Sequence, residues 1–297
     1  MKATTLALTV FCGSTSATIL GNDALAAQAL AKLSLNVAQH GYPDAGKCRL
    51  KNVAVRQEWS TLSESQKLNY IDAVKCLGMK PAKTPAAIAS GARSRFDDFI
   101  VTHILQTMSI HGTGNFLTWH RYYIWAYEQA LRNECGYKGY LPYMVPTERE
   151  WQRANTSSWK INLGPIQTTA KGVPPNPQAD GLGYNPRCLS RDINTQASNE
   201  TRDEMVVDLI TNYPDILSFQ NKMQNFTLGV MGVHNGGHYT IGGDSGMDMF
   251  NSPADPSFYF HHAMIDRVWW TWQALDLKKQ AEYYCRNHDF SEQPAKP

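Results

Sequence analysis

Apolar positions recur at helical spacing in several separate stretches. Phe96, Phe99, Ile100, His103, Ile104 and Thr107 share one face, so the pattern predicts a helix over 96–110 with a histidine on its buried side. His111-Gly-Thr-Gly then breaks it. A helix resumes over 118–134, where His120, Ile124, Tyr127 and Leu131 form one inward stripe and Arg121, Gln129 and Arg132 fall elsewhere. His234 and His238 lie in a stretch read as helix over 230–240; four residues apart, they stand one turn apart on one face. Asp255-Pro256 opens a last strong helix over 256–273, an N-cap residue followed by Pro at the first helical position. Its inward stripe reads equally well as Phe258, His262, Ile265, Trp269 and Trp272 or as Phe258, His261, Ile265, Val268 and Trp272. Periodicity does not choose between the two histidines.

The rest of the chain frames these four helices. Ala24 to His40 is Ala/Leu-rich with helical spacing. Ser63 to Cys76 reads as a helix, with Ser63 and Gln66 in a capping-box arrangement. Residues 80–91 read as a surface loop, and 139–183, rich in Pro, Gly, Asn and Trp, as long loops. Residues 201–223 return to helix, broken near Pro214. No internal repeat of fixed period appears. The expected fold is mainly α: an antiparallel four-helix bundle of 96–110, 118–134, 230–240 and 256–273, surrounded by long loops.

Composition narrows the class. With 42% hydrophobic and 18% charged residues in 297, the chain is globular. A formal charge of +2 gives no reason to invoke nucleic acid or an anionic membrane. Met1-Lys2, an apolar run from Leu6 to Cys12 and small residues to Ala17 read as a signal peptide over 1–17. The main domain is expected over 18–280, and 281–297 reads as an atypical, truncated tail. Without Cys12 five cysteines remain, Cys48, Cys76, Cys135, Cys188 and Cys285, so pairing leaves one over. The triplets at Asn155, Asn199 and Asn225 fit N-glycosylation. A secreted, extracellular protein is expected.

Seven of the nine histidines sit in two stretches, His103 to Glu128 and His234 to Arg267. A lone buried histidine is usually a hydrogen-bonded core residue, but a cluster reverses that balance. With no Cys inside either stretch and few carboxylates, the residues point to two all-nitrogen metal sites facing each other, and neutral imidazole suits copper, zinc, iron and nickel. The acidic loop 242–250 lacks the spacing of a calcium-binding EF-hand.

H-x4-F-L-x-W-H-R, here His111 to Arg121, resembles the first copper-site motif of the tyrosinase, catechol oxidase and molluscan haemocyanin superfamily. D-P-x-F-x-x-H-H-x-x-x-D-R, here Asp255 to Arg267, resembles the second. The resemblance covers roughly residues 95–273 and is closest to short fungal tyrosinases and catechol oxidases. It implies two copper ions, one held by His103, His111 and His120 and the other by His234, His238 and His262. The family pattern F-x-x-x-H selects His262, with His261 beside it in support. The implied activity is oxidation of ortho-diphenols to ortho-quinones by O2. Asp266 is the implied acceptor of a ligand's second ring nitrogen, held by Arg267, and Phe258 the bulky residue beside the pocket.

Several features depart from that pattern. Ser109 stands where many fungal members carry a cross-linked Cys. Members that hydroxylate monophenols pair a Glu before the second site with the Asn after its first histidine. Asn235 is present, but no Glu lies between Met205 and Ala281, so weak monophenol hydroxylation is expected. The pattern also stops near Leu275, earlier than in short relatives. A haemocyanin-like oxygen carrier, a zinc or metal-free structural protein, and a tyrosinase or ortho-aminophenol oxidase of other substrate preference are the alternatives.

Overall fold

The computed structural model describes residues 21–42, 49, 53–144, 159–167, 172–224 and 231–277. The signal segment 1–17, the tail 281–297, Cys12, Cys48, Cys285, Asn155 and Asn225 lie outside the described residues.

Helices dominate: α1 (Gly21–His40), α2 (Glu64–Met79), α3 (Arg95–Ile110), α4 (Phe116–Cys135), α5 (Asp203–Asn212), α6 (Ile216–Met223), α7 (Gly232–Ile241) and α8 (Ser257–Leu275). Local chemistry sets their ends. Ser63 and Gln66 form the expected capping box on α2. Ser94 and Asp97 form another on α3, which the sequence reading did not mark. Gly136, at φ 68°, closes α4 in a left-handed turn. Pro214 separates α5 from α6, where Asp215 caps Ser218. At α8 the cap lies one residue later than expected. Pro256 takes the N-cap position, and the Asp255 carboxylate accepts the Ser257 N–H at 2.8 Å from outside the helix while pairing with Arg191.

The mainly α expectation holds, and α3, α4, α7 and α8 form the anticipated bundle. Two apolar clusters flank its centre. One is built on Tyr70, Leu77, Ile100, Ile124, Tyr127, Leu131 and Phe258; the other on Phe116, Leu209, Phe219, Met223, Val268 and Trp272. The irregular 139–183 region contributes β1 (Lys160–Ile161), which pairs antiparallel with β2 (Arg187–Cys188) just beyond it. A disulfide joins Cys76 near the end of α2 to Cys135 at the end of α4, and Cys188 is free and exposed.

The loop after α7 opens with Gly242 at φ 58°, where an added Cβ would lie 2.1 Å from the Asp192 carbonyl; only glycine fits. Its acids are structural. Asp244 pairs with Arg187, and Asp248 accepts the backbone N–H groups of Ile166, Gln167, Phe250 and Asn251. This network holds Phe250, whose carbonyl reaches the histidines.

Candidate metal centre

The helices bring the histidines together at the seam between the two clusters. His103 on α3, His111 at its C-terminal end and His120 on α4 each place a ring nitrogen within 4.8 Å of the others. Each Nδ1 faces a backbone carbonyl: Phe250 at 2.9 Å from His103, Thr107 at 3.0 Å from His111, Phe116 at 2.8 Å from His120. A carbonyl only accepts, so Nδ1 carries the hydrogen and Nε2 keeps its lone pair. The Nε2 atoms of His103 and His120 are buried with no partner among the described residues. Buried, unpartnered polar atoms are costly, and several gathered in one place fit a cation that accepts their lone pairs.

On α7, His234 Nδ1 lies 2.9 Å from Asn235 Oδ1, which frees its Nε2 in the same way. His238 Nε2 lies 3.1 Å from His234 Nε2 and 3.1 Å from His262 Nε2. His261 also has a ring nitrogen within 4.8 Å of this group, but its Nε2 donates to the His234 carbonyl at 2.8 Å. The closest convergence is therefore of the Nε2 atoms of His234, His238 and His262. His262 stacks on His120 at 4.4 Å and 12°, setting the two groups face to face.

Burial lowers the proton affinity of every one of these rings. His103 falls to about 3 and His261 to about 4, and the others move the same way. Desolvation is the largest cause for each. All seven are thus neutral near pH 7, the form that binds a metal.

Phe258 stands where expected, stacked on His262 at 4.1 Å and edge-on to His103 at 5.4 Å. Asp266 and Arg267 do not. Asp266 points away from the histidines, to Arg56 at 2.9 Å and to Arg121. Arg267 instead pairs with Asn22 and Asp23 of α1, at 2.7 and 2.5 Å, and lies over Tyr143. Two neighbours on one helix point about 100° apart, so adjacent residues reach different partners. The Nδ1 atoms of His103, His111 and His120 are served by backbone carbonyls and that of His234 by Asn235 instead, while His262 Nδ1 is buried without a partner among the described residues.

Gly237 was missed in the sequence. An added Cβ there would lie 2.0 Å from His261 Cε1. The glycine pair between His234 and His238, poor for a helix, was its signal. Glu200 was missed too, because it precedes the stretch scanned for a Glu; it packs on Gly236, beside Asn235.

A cavity of about 280 Å³ reaches His111, His234 and His238 and is lined by Gln167, Asn235, Tyr239, Met247 and Met249.

A family model for the common central domain of tyrosinase matches residues 93–275, more than half of the chain. The chain belongs to the tyrosinase family. It is 36% identical to tyrosinase-like protein orsC of Emericella nidulans, over 81% of this chain and 79% of that one. It is 35% identical to tyrosinase P of Aspergillus terreus, over 75% and 76%, and 31% identical to N-acetyl-6-hydroxytryptophan oxidase ivoB of Emericella nidulans, over 78% of each. A solved structure of a mutant polyphenol oxidase from Thermothelomyces thermophila superposes with a TM-score of 0.77 at 35% identity, covering 88% of this chain and 83% of that one. As a tyrosinase-family member the chain is a type-3 copper oxidoreductase with two copper ions, and its two buried histidine groups fit them.

Proposed function

We propose that this tyrosinase-family chain oxidises ortho-diphenols to ortho-quinones with O2, and hydroxylates monophenols more slowly. The observation that carries the reading is the cavity of about 280 Å³, with room for a phenol, that reaches His111, His234 and His238. An oxygen carrier has no need of it.

His103, His111 and His120 would hold one copper through Nε2, and His234, His238 and His262 the other. The copper pair supplies the electron transfer to O2. The residues do the rest. Phe116, Thr107 and Phe250 carbonyls and the Asn235 amide fix the ring orientations. His261 ties α8 to the His234 carbonyl. Tyr239, Met247 and Met249 offer aromatic and thioether surface to a phenol ring. The diphenol gives up two electrons and two protons and leaves as the quinone.

Monophenol hydroxylation is the weaker activity because no Glu lines the described cavity beside Asn235. Glu200 favours a second reading, in which monophenols are hydroxylated as fast as diphenols are oxidised. Its Oε2 is buried and without a partner among the described residues, and its side chain packs against Gly236. The relative named as an N-acetyl-6-hydroxytryptophan oxidase makes hydroxyindoles the next substrate class to try. Secretion is proposed as well, supported by the Cys76–Cys135 disulfide.

Oxygen uptake by copper-loaded protein tests the reading, with catechol and then tyramine as substrate. Fast uptake with catechol and slow uptake with tyramine is expected. Equal rates, reduced on tyramine alone by Glu200→Gln, would establish the second reading. No uptake with two coppers bound would overturn both.

A further inference from the structure

Trp119 stands one residue before His120 on α4, at the only place described where the histidine cage and the protein surface share an indole. Its ring lies 4.9 Å from the His120 ring and 5.9 Å from that of His103. Its other edge is partly exposed and lines a groove of about 410 Å³ between α3 and α4, with Thr102, Gln106 and Tyr122. Behind it runs a column of near-parallel rings. Tyr123 stacks on Trp119 at 4.7 Å and 17°. Tyr259 follows at 6.1 Å and 17°, and Tyr127 at 3.5 Å and 9°.

Indole and phenol are readily oxidised side chains, and here they abut the metal ligands. What separates them is the fate of the proton. A phenol loses an electron easily only if its hydroxyl proton leaves too. The hydroxyls of Tyr127 and Tyr259 are buried, with only other tyrosine hydroxyls, of Tyr70 and Tyr123, beside them and no base to take a proton. That of Tyr123 donates to the Phe99 carbonyl at 2.7 Å, which is no base. Burial raises the proton affinity of all three. Trp119 differs. Its Nε1 donates to Gln106 Oε1 at 2.7 Å, and Gln106 is exposed at the groove, where water can take the proton.

We propose that Trp119 is a redox outlet that spares the histidines when the oxidised metal pair meets no phenol. The inference rests on the copper oxidase reading. One electron passes from the indole to the metal pair, which is reduced by one. The Nε1 proton leaves to water in the groove. The indolyl radical is restored by one electron and one proton from a small reductant, such as ascorbate, that reaches the groove. A second such transfer completes a two-electron reduction that O2, already used by the oxidase, reverses, so O2 is the only oxidant required. Trp119 contacts two ligands but not the substrate cavity, so it acts beside the main reaction.

The test uses copper-loaded protein, checked for two ions per chain, exposed to O2 without phenol and frozen. An organic radical signal by electron paramagnetic resonance is expected, altered by ring-deuterated tryptophan. Peptide mapping of the wild type should find Trp119 the first residue oxidised, which needs no variant. Trp119→Phe should lose the signal, and its His103 and His120 should gain oxygen several-fold faster. Tyr122→Phe, at the groove rim, should keep the signal. Catechol turnover on the same samples reports the oxidase reading separately. Turnover without an indole radical, or equal histidine oxidation in Trp119→Phe, would overturn the outlet alone. Absence of turnover with copper bound would overturn the reading beneath it.

Discussion

On α8, His261 turns its Nε2 to the His234 carbonyl at 2.8 Å, while His262 brings its Nε2 to 3.1 Å from that of His238. The two neighbours should therefore fail differently. His262→Ala should lower bound copper from two ions per chain to one. His261→Ala should keep both ions and lose about 1–3 kcal/mol of stability, from a lost hydrogen bond and a cavity. Metal analysis and urea denaturation read the two effects, and copper loss in His261→Ala would reverse the assignment. A second expectation concerns protons. In the metal-free protein His103 is lowered to about 3 from an ordinary 6.5, and His261 to about 4, chiefly by burial. Between those limits the unfolded chain binds protons that the folded chain does not. Stability contributed by neutral burial is thus intact above about pH 6.5 and falls as pH drops toward the folded values. Melting of the apoprotein at about pH 7 and about pH 5 measures it, and a higher melting point at the acid pH would contradict it. The gathering of the histidines into two buried groups was legible in the sequence because clustered imidazoles at helical spacing have few other readings. Choosing His262 over His261 needed the family pattern, since on one helix both stripes fit equally.

Whole helices were also legible, because amphipathic spacing, caps and a proline break are local signals. Long-range partners were not. Asp266 is met by Arg56, 210 residues earlier, and by Arg121 on α4, and no local pattern announces either. Arg56 also holds Glu128, so it ties α4 to α8 from the chain preceding α2. Asp266→Asn should leave Arg56 and Arg121 short of a counter-charge in partly buried positions. A loss of about 1–3 kcal/mol with copper content unchanged is expected. A copper loss at constant stability would instead restore Asp266 to the ligands' support. Gly237 makes the complementary case. An added Cβ would meet the His261 ring at 2.0 Å, although alanine favours the helix by about 1 kcal/mol. Packing wins at that distance. Gly237→Ala should push α7 from α8 and lose the ion held by His234, His238 and His262 before the other. Metal content of the purified variant decides, and full copper occupancy would show that His261 yields without moving the cage.

The molecule as a whole is held unevenly. The Cys76–Cys135 disulfide spans 59 residues of chain and encloses all of α3 and the first histidine group, while the second group lies outside it. Closing a loop of that length removes unfolded-state freedom worth about 4 kcal/mol on the chain-entropy account. A chain stabilised on one side only could open in two steps. The contacts across the seam argue otherwise. His120 stacks on His262 at 4.4 Å, Phe258 of α8 meets His103 at 5.4 Å, and Phe116 of α4 meets His234 at 4.7 Å. Each pair joins an element inside the disulfide loop to one outside it. Loss of either half therefore strips apolar and ring contacts from the other. The Cys76→Ser/Cys135→Ser double variant should thus lose about 2–4 kcal/mol in one cooperative transition, releasing both copper ions together. Denaturation followed at once by near-ultraviolet circular dichroism and by a copper indicator tests this. Release of one ion ahead of the main transition would mean that the two histidine groups unfold independently, and that the disulfide guards only the first.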